Sequence, residues 1–98
     1  MNMQAMLKQA QALQKDMMKV KDEIDNTDFV GESSLVKVTL KGTKEVVKVE
    51  INAEDSLDKD DIEVLEDMIV VAINDANKKI DDMTEKKMGK FGNIPGLF

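Results

Sequence analysis

From Met3 to Ile24 the apolar residues Met3, Met6, Ala10, Leu13, Met17, Val20 and Ile24 recur at alternating spacings of three and four. That is a heptad seam, uninterrupted by glycine or proline, and it predicts one long amphipathic helix. A chain of 98 residues rarely needs so long a helix for its own core. The seam is therefore expected to meet a partner helix as well as the domain's own sheet, with its methionines making the packing adaptable.

After Asn26 the period changes to two. Residues 29–33 form a short strand candidate, in which Gly31 points to a bulge or an edge. In LVKVTLK, Val36, Val38 and Leu40 face one way and Lys37, Thr39 and Lys41 the other. KGTK then turns the chain, with Gly42 expected to take the positive φ of a tight hairpin. In EVVKVEI the alternation puts Val47, Val49 and Ile51 on the dry face and Val46, Lys48 and Glu50 opposite.

Residues 52–56 read as a loop, and Asp58 as the N-cap of a second long helix whose first turn carries Asp60 and Asp61. Its stripe runs through Ile62, Leu65, Ile69, Ala72, Ala76, Ile80 and Met83. Across MIVVAI it turns apolar all round, so Met68, Ile69, Val70, Val71 and Ile73 are expected to bury a second side against the same helix of another subunit. Lys86 and Lys87 suit the negative end of the helix, and Gly89 suits its stop. Residues 89–98 read as a mobile tail whose Phe91, Leu97 and Phe98 dock locally. The expected fold is α+β, a single domain over residues 1–98 in the order α-β-β-β-α, with a three-stranded antiparallel sheet, two long helices and a dimeric assembly.

Composition narrows the chemistry. Cysteine, histidine, arginine, tyrosine and tryptophan are all absent, which removes disulfides, thiolate metal sites, the usual general base and the bidentate phosphate fork. No Gly-rich loop opens a helix, and Ser33 and Ser34 have no base to activate them. The acids Asp55, Asp58, Asp60, Asp61, Glu63, Glu66 and Asp67 crowd a helix start, which capping and the helix dipole explain without a metal. No enzyme activity, cofactor, metal or small-molecule substrate is expected. With no apolar run near the ~18 residues of a membrane span and no signal-peptide pattern, a cytoplasmic location is expected.

Charge adds one feature. The stretch Met6 to Lys21 carries Lys8, Lys15, Lys19 and Lys21 against the single acid Asp16, inside a chain of formal charge −6. On a helical wheel Gln4, Lys8, Gln11 and Lys15 form one stripe opposite the apolar seam, with Lys19 beside it. Lysine pairs with phosphate, and a glutamine amide bonds a phosphate or a base edge. Lys37, Lys41, Lys44 and Lys48 make a second basic surface, diluted by Glu45 and Glu50. A solvated face accounts for either set as well as a ligand does. Without arginine, any nucleic-acid binding is expected to be led by the phosphate backbone, with low or moderate sequence preference.

The segments MLKQAQALQKDM, GESSLVKVTLKGTKEVVKVEI, LEDMIVVAINDANKKIDDMTEKKMGK and IPGLF, in this order over nearly the whole chain, resemble the YbaB/EbfC nucleoid-associated proteins. Members often carry a glycine-rich insertion where this chain has only Ser33 and Ser34, so its first hairpin is shorter. The resemblance implies a tweezer-like homodimer that binds double-stranded DNA at the bacterial nucleoid and organises it or tunes transcription. It implies DNA contact from both long helices, carried here by Lys8, Gln11, Lys15 and Lys19 and by Lys78, Lys79, Lys86 and Lys87. The alternative is a small dimeric protein-interaction module that docks a partner through its acidic helix or Met-rich seam, DNA being incidental.

Overall fold

The computed structural model of the chain describes residues 2–52 and 57–91, apart from the side chain of Lys90. The expected tail past residue 91, with Leu97 and Phe98, and the loop positions 53–56, with Asp55, lie outside the described residues.

Helix α1 (Met3–Asp25) starts on Asn2, whose side-chain oxygen accepts the Gln4 N–H at 3.0 Å. It ends where Asn26 and Thr27 take up its last carbonyls, the Asn26 amide on Asp22 at 2.9 Å and the Thr27 hydroxyl on Glu23 at 2.6 Å. Strands β1 (Asp28–Ser33), β2 (Val36–Lys41) and β3 (Val46–Ile51) follow as an antiparallel meander in the order β1-β2-β3. Helix α2 (Lys59–Met88) begins with a capping box: Asp58 accepts from the N–H groups of Asp60 and Asp61, and Asp61 accepts the Asp58 N–H at 3.0 Å. Two of the crowded acids, Asp58 and Asp61, thus have capping work, and Asp60 stands beside them at a helix end where the dipole favours negative charge. Gly89 caps α2, and a short 3₁₀ turn (Gly89–Phe91) follows. The α-β-β-β-α order is the expected one.

The core lies where α2 crosses β1 and β2. Val36, Val38 and Leu40 point inward from β2 and are almost wholly buried, against Phe29 of β1, Ala72, Ala76, Ile80 and Met88 of α2, and Met17 and Ile24 of α1. The small Ala72 and Ala76 let the helix come close, and Gly31 completes the approach. A Cβ on Gly31 would lie 1.9 Å from the Ala72 carbonyl oxygen and 2.6 Å from the Ala76 nitrogen. Gly31 does sit on an edge strand, as expected, but its register with Val38 is regular and there is no bulge at it.

At that crossing α2 also reaches the open edge of β1. The Asp75 carboxylate accepts the Glu32 N–H at 3.1 Å, the Lys79 ammonium donates to the Val30 carbonyl at 2.7 Å, and the two side chains pair at 3.4 Å. Unpaired edge groups are thereby taken up by a helix. The backbone N–H of Glu32, helped by Lys79 and Lys78, holds the Asp75 carboxyl below its ordinary value.

Three expectations need correction. First, β3 has no dry face within the protomer: Val46, Val47, Val49 and Ile51 are all exposed, because α2 covers only β1 and β2. A register shift between Thr39 and Leu40 also sets Val46, not Val47, opposite Leu40. Second, the positive φ of the β2–β3 turn belongs to Lys44, at 77°, and not to Gly42. Gly42 is needed instead because a Cβ there would lie 1.9 Å from the Ile24 carbonyl oxygen. Third, the α1 seam is buried only from Met17 onward; Met3, Met6 and Leu13 are exposed, and every residue from Asn2 to Asp16 is open to solvent.

The molecule is therefore long: 71 × 19 × 16 Å, with a radius of gyration of 19.5 Å. A compact chain of this size would have about 13 Å. The outer half of α1, roughly 20 Å at 1.5 Å per residue, overhangs the core.

Gly31→Ala is expected to cost about 1–3 kcal/mol in urea unfolding, the range for forcing a methyl into a packed contact; a cost below about 0.5 kcal/mol would mean that the close crossing is not required. Because folding lowers the Asp75 pKa, the contribution of that carboxylate is complete above its ordinary value of 3.8 and is lost as pH falls through the lower folded value. Asp75→Asn should accordingly flatten the acid limb of stability against pH, measured by thermal melts between neutral and strongly acid pH.

Candidate nucleic-acid interface

Cationic groups become available to a ligand when they are exposed and not already neutralised. Lys41 pairs with Asp28 at 3.1 Å, Lys44 with Asp81 at 3.1 Å, and Lys48 with Glu50 at 2.7 Å. Lys37 stands opposite Glu50 in the sheet register. The hydrogen bond and charge of Lys48, with Lys37 further off, hold the Glu50 carboxyl below its ordinary value. The second basic surface is thus largely spent on its own acids.

On α1 the arrangement differs. Lys8, Gln11, Lys15 and Lys19 are all exposed, and no ion pair among the described residues engages any of the three lysines. Residues 1–15 contain no acid at all. The first turn of α1 also lacks an acidic residue to offset the positive end of its dipole. From Lys8 to Lys19 the stripe runs about 17 Å along the helix axis. Toward its inner end Gln11, Gln14, Lys15 and Lys19 line an open depression together with Asp16, Asp22, Glu23, Met18 and Asn26. The acids at that end leave the outer part, Lys8 to Lys15, as the cleaner surface for phosphate.

The four candidate lysines of α2 fall into two kinds. Lys78, Lys86 and Lys87 are exposed and free of ion pairs among the described residues. Lys79 is committed to Val30 and Asp75. Its role at the sheet edge was not read from the sequence, although Asp75 and Lys79 stand at the i,i+4 spacing that pairs charges on a helix. Gln14 and Asn26 were likewise passed over; both line the same depression. Lys86 and Lys87 lie in the last turn of α2, beside Met88, which shares its buried cluster with Met17 of α1.

The remaining chemistry is sparse. Among the described residues no group of three or more His, Cys, Asp or Glu side chains could hold a metal ion. Likewise, no described helix is long and apolar enough to cross a membrane. A cavity of about 220 Å³ between the end of α1, the β2–β3 turn and α2 is lined by Lys21, Ile24, Gly42, Lys44, Ile80 and Thr84 among others. That is below the usual range for a small-molecule site.

The model of the YbaB/EbfC DNA-binding family matches residues 1–94. A nucleoid-associated protein of Ligilactobacillus salivarius is 44% identical, over 99% of this chain and 95% of its own length. Another, from Streptococcus thermophilus, is 49% identical over 97% of this chain and 98% of its own. Among solved structures, an uncharacterized protein of Helicobacter pylori superposes with a TM-score of 0.75 at 20% identity, covering 95% of this chain and 99% of that one. That likeness is one of fold.

Substituting the two neighbouring lysines should separate their roles. Lys79→Ala is expected to lower unfolding free energy by about 0.5–1 kcal/mol through the lost bond to the β1 edge, while Lys78→Ala should stay within about 0.5 kcal/mol of the parent. Equal effects in chemical denaturation would contradict the distinction.

Proposed function

The chain belongs to the YbaB/EbfC DNA-binding family, and from that premise we propose that it works without catalysis, as a homodimer that grips duplex DNA by its phosphates at the bacterial nucleoid. The observation that carries this reading is the acid-free, unpaired Lys and Gln face on the overhanging half of α1. Lys8, Lys15 and Lys19 neutralise phosphates, and Gln11 adds a hydrogen bond to backbone or base edge. Lys78, Lys86 and Lys87 are secondary contacts. Lys79 adds little, being held at the sheet edge. With no arginine to reach guanine or a narrow minor groove, sequence preference is low or moderate. Binding of this kind suits a role in nucleoid organisation or broad gene regulation in the cytoplasm.

Dimerisation is supported by the apolar surface the protomer leaves uncovered. Val70 and Val71 are 56% and 53% exposed in the turn where Met68, Ile69 and Ile73 are half-buried. Two copies would also double each basic arm, which steepens electrostatic binding. The alternative, a dimeric module that docks a protein partner, is favoured by the exposed Met3, Met6 and Leu13 on the same arm. Retention of a specific protein after nuclease treatment would support it over DNA.

Binding measured against salt tests the main reading. The logarithm of affinity should fall with log salt by about 0.9 per phosphate neutralised. Lys8→Glu with Lys15→Glu, two reversals on each of two arms, should make that slope shallower by roughly 3 to 4 and leave the sedimenting dimer unchanged. Unaltered affinity and slope in this variant would show α1 to be the wrong surface.

A further inference from the structure

The chain has eight methionines and no cysteine, so all of its sulfur is thioether sulfur. The described methionines fall into two populations. Met17 and Met88 are shut in the core at 3% and 6% exposure, and Met68 and Met83 are half-buried beside it. Met3, Met6 and Met18 all lie on α1 and are exposed, Met3 at 77% and Met18 at 62%. Methionine usually fills a gap in a core or lines an apolar contact. Within the protomer these three do neither.

Their places on the arm give oxidation something to act on. Met3 and Met6 stand at the start of a helix half that has no core beneath it and is held by the Asn2 cap and by residue preference. Met18 lines the polar depression with Gln11, Gln14, Lys15 and Lys19. Gln14 and Lys15 precede it by four and three residues, which puts both on its side of the helix. No ion pair among the described residues engages Lys15 or Lys19.

We propose that Met3, Met6 and Met18 are a modification site: a hydroperoxide oxidises these three thioethers ahead of the core methionines, and the sulfoxides loosen the α1 arm and its hold on DNA. A sulfur lone pair attacks one peroxide oxygen, an S–O bond forms as the O–O bond breaks, and the second oxygen leaves as water. Sulfur is oxidised, the peroxide is reduced, and the atoms balance without a further reagent. The effect on DNA rests on the proposed interface; the selectivity and the loosening do not.

The product side chain is polar and chiral, with an oxygen that accepts hydrogen bonds. On Met18 that oxygen stands among the donors of Lys15 and Gln14 and competes with phosphate for them. On Met3 and Met6 it offers nearby backbone N–H groups a local acceptor, the competition that makes short polar side chains poor helix formers. A helix that is already marginal gives way to so small a change. The core is spared because its two thioethers are out of reach of solvent.

Peptide mapping of the full chain after graded hydrogen peroxide tests the site. Met3, Met6 and Met18 should each gain one oxygen roughly tenfold faster than Met17 and Met88, as exposure dictates; equal rates at the exposed and buried methionines would overturn the proposal. The selectively oxidised chain should lose far-UV helical signal and bind duplex DNA about threefold or more weakly. A methionine sulfoxide reductase should restore both. Met3→Leu, Met6→Leu and Met18→Leu together keep the helical preference and should make both readouts indifferent to the same peroxide dose. A triple variant weakened as much as the parent would place the effect elsewhere and sink the idea, as would selective oxidation that leaves helicity and affinity unchanged. A reduced parent that binds no duplex at low salt would refute the DNA reading instead, and mapping with helicity would then decide the site alone.

Discussion

The close crossing of α2 over β1 at Gly31 is the contact on which the rest of the molecule depends. A helix backbone can lie against a strand backbone only where no Cβ intervenes, and here Gly31 meets Ala72 and Ala76. Once the two are that close, Asp75 and Lys79 on the flank of the helix reach round to the strand's open edge. The same approach sets the depth at which Ile80 reaches the inward row of β2. Moving the helix outward by one methyl would loosen the core and expose the edge together.

This anchor also explains why the molecule is long. A helix held by its middle and C-terminal parts, over a sheet of short strands, must project beyond the sheet. α1 packs on the same core only through Met17, Val20 and Ile24, so its outer turns project as well. The overhangs carry contrasting charge: the outer half of α1 has lysine and no acid, while the start of α2 is dense in Asp and Glu. The formal charge of −6 therefore describes neither arm. Net charge governs the far field, but a phosphate at contact distance responds to the groups within about a Debye length.

Much of the architecture was legible because each element announces itself locally. The three-and-four spacing of α1, the strict alternation of Val36, Val38 and Leu40, and the Asp58 capping signal all depend on residues within a few positions of one another. The misreadings have a common physical origin in contacts between elements far apart in sequence. Nothing near Val47 reveals that α2 ends its cover at β2, or that a bulge shifts the phase of β3. Nothing near Gly42 shows that the end of α1 packs on it while Lys44 takes the left-handed conformation. Of the α1 stripe, exposure was readable from helical period, but Lys79 looked like its neighbour Lys78 until the β1 edge was placed beside it. The family resemblance supplied DNA as the partner; local charge alone left a solvated face as an equal account.

The overhang of α1 has one more consequence, and it concerns the heat of binding. From Asn2 to Asp16 the helix gains nothing from a core and stands on its Asn2 cap and on the intrinsic preference of Met, Gln, Ala, Leu and Lys for helical backbone. A free helix of this length is marginal in water, so its outer turns open at little cost, and at the proposed DNA interface they would close again as phosphates order the lysines. Each such closure couples a folding increment to association, releasing enthalpy and consuming chain entropy together. With the proposed interface, affinity for DNA would inherit the temperature dependence of a helix–coil equilibrium, warming weakening the grip of the arm while leaving the core intact.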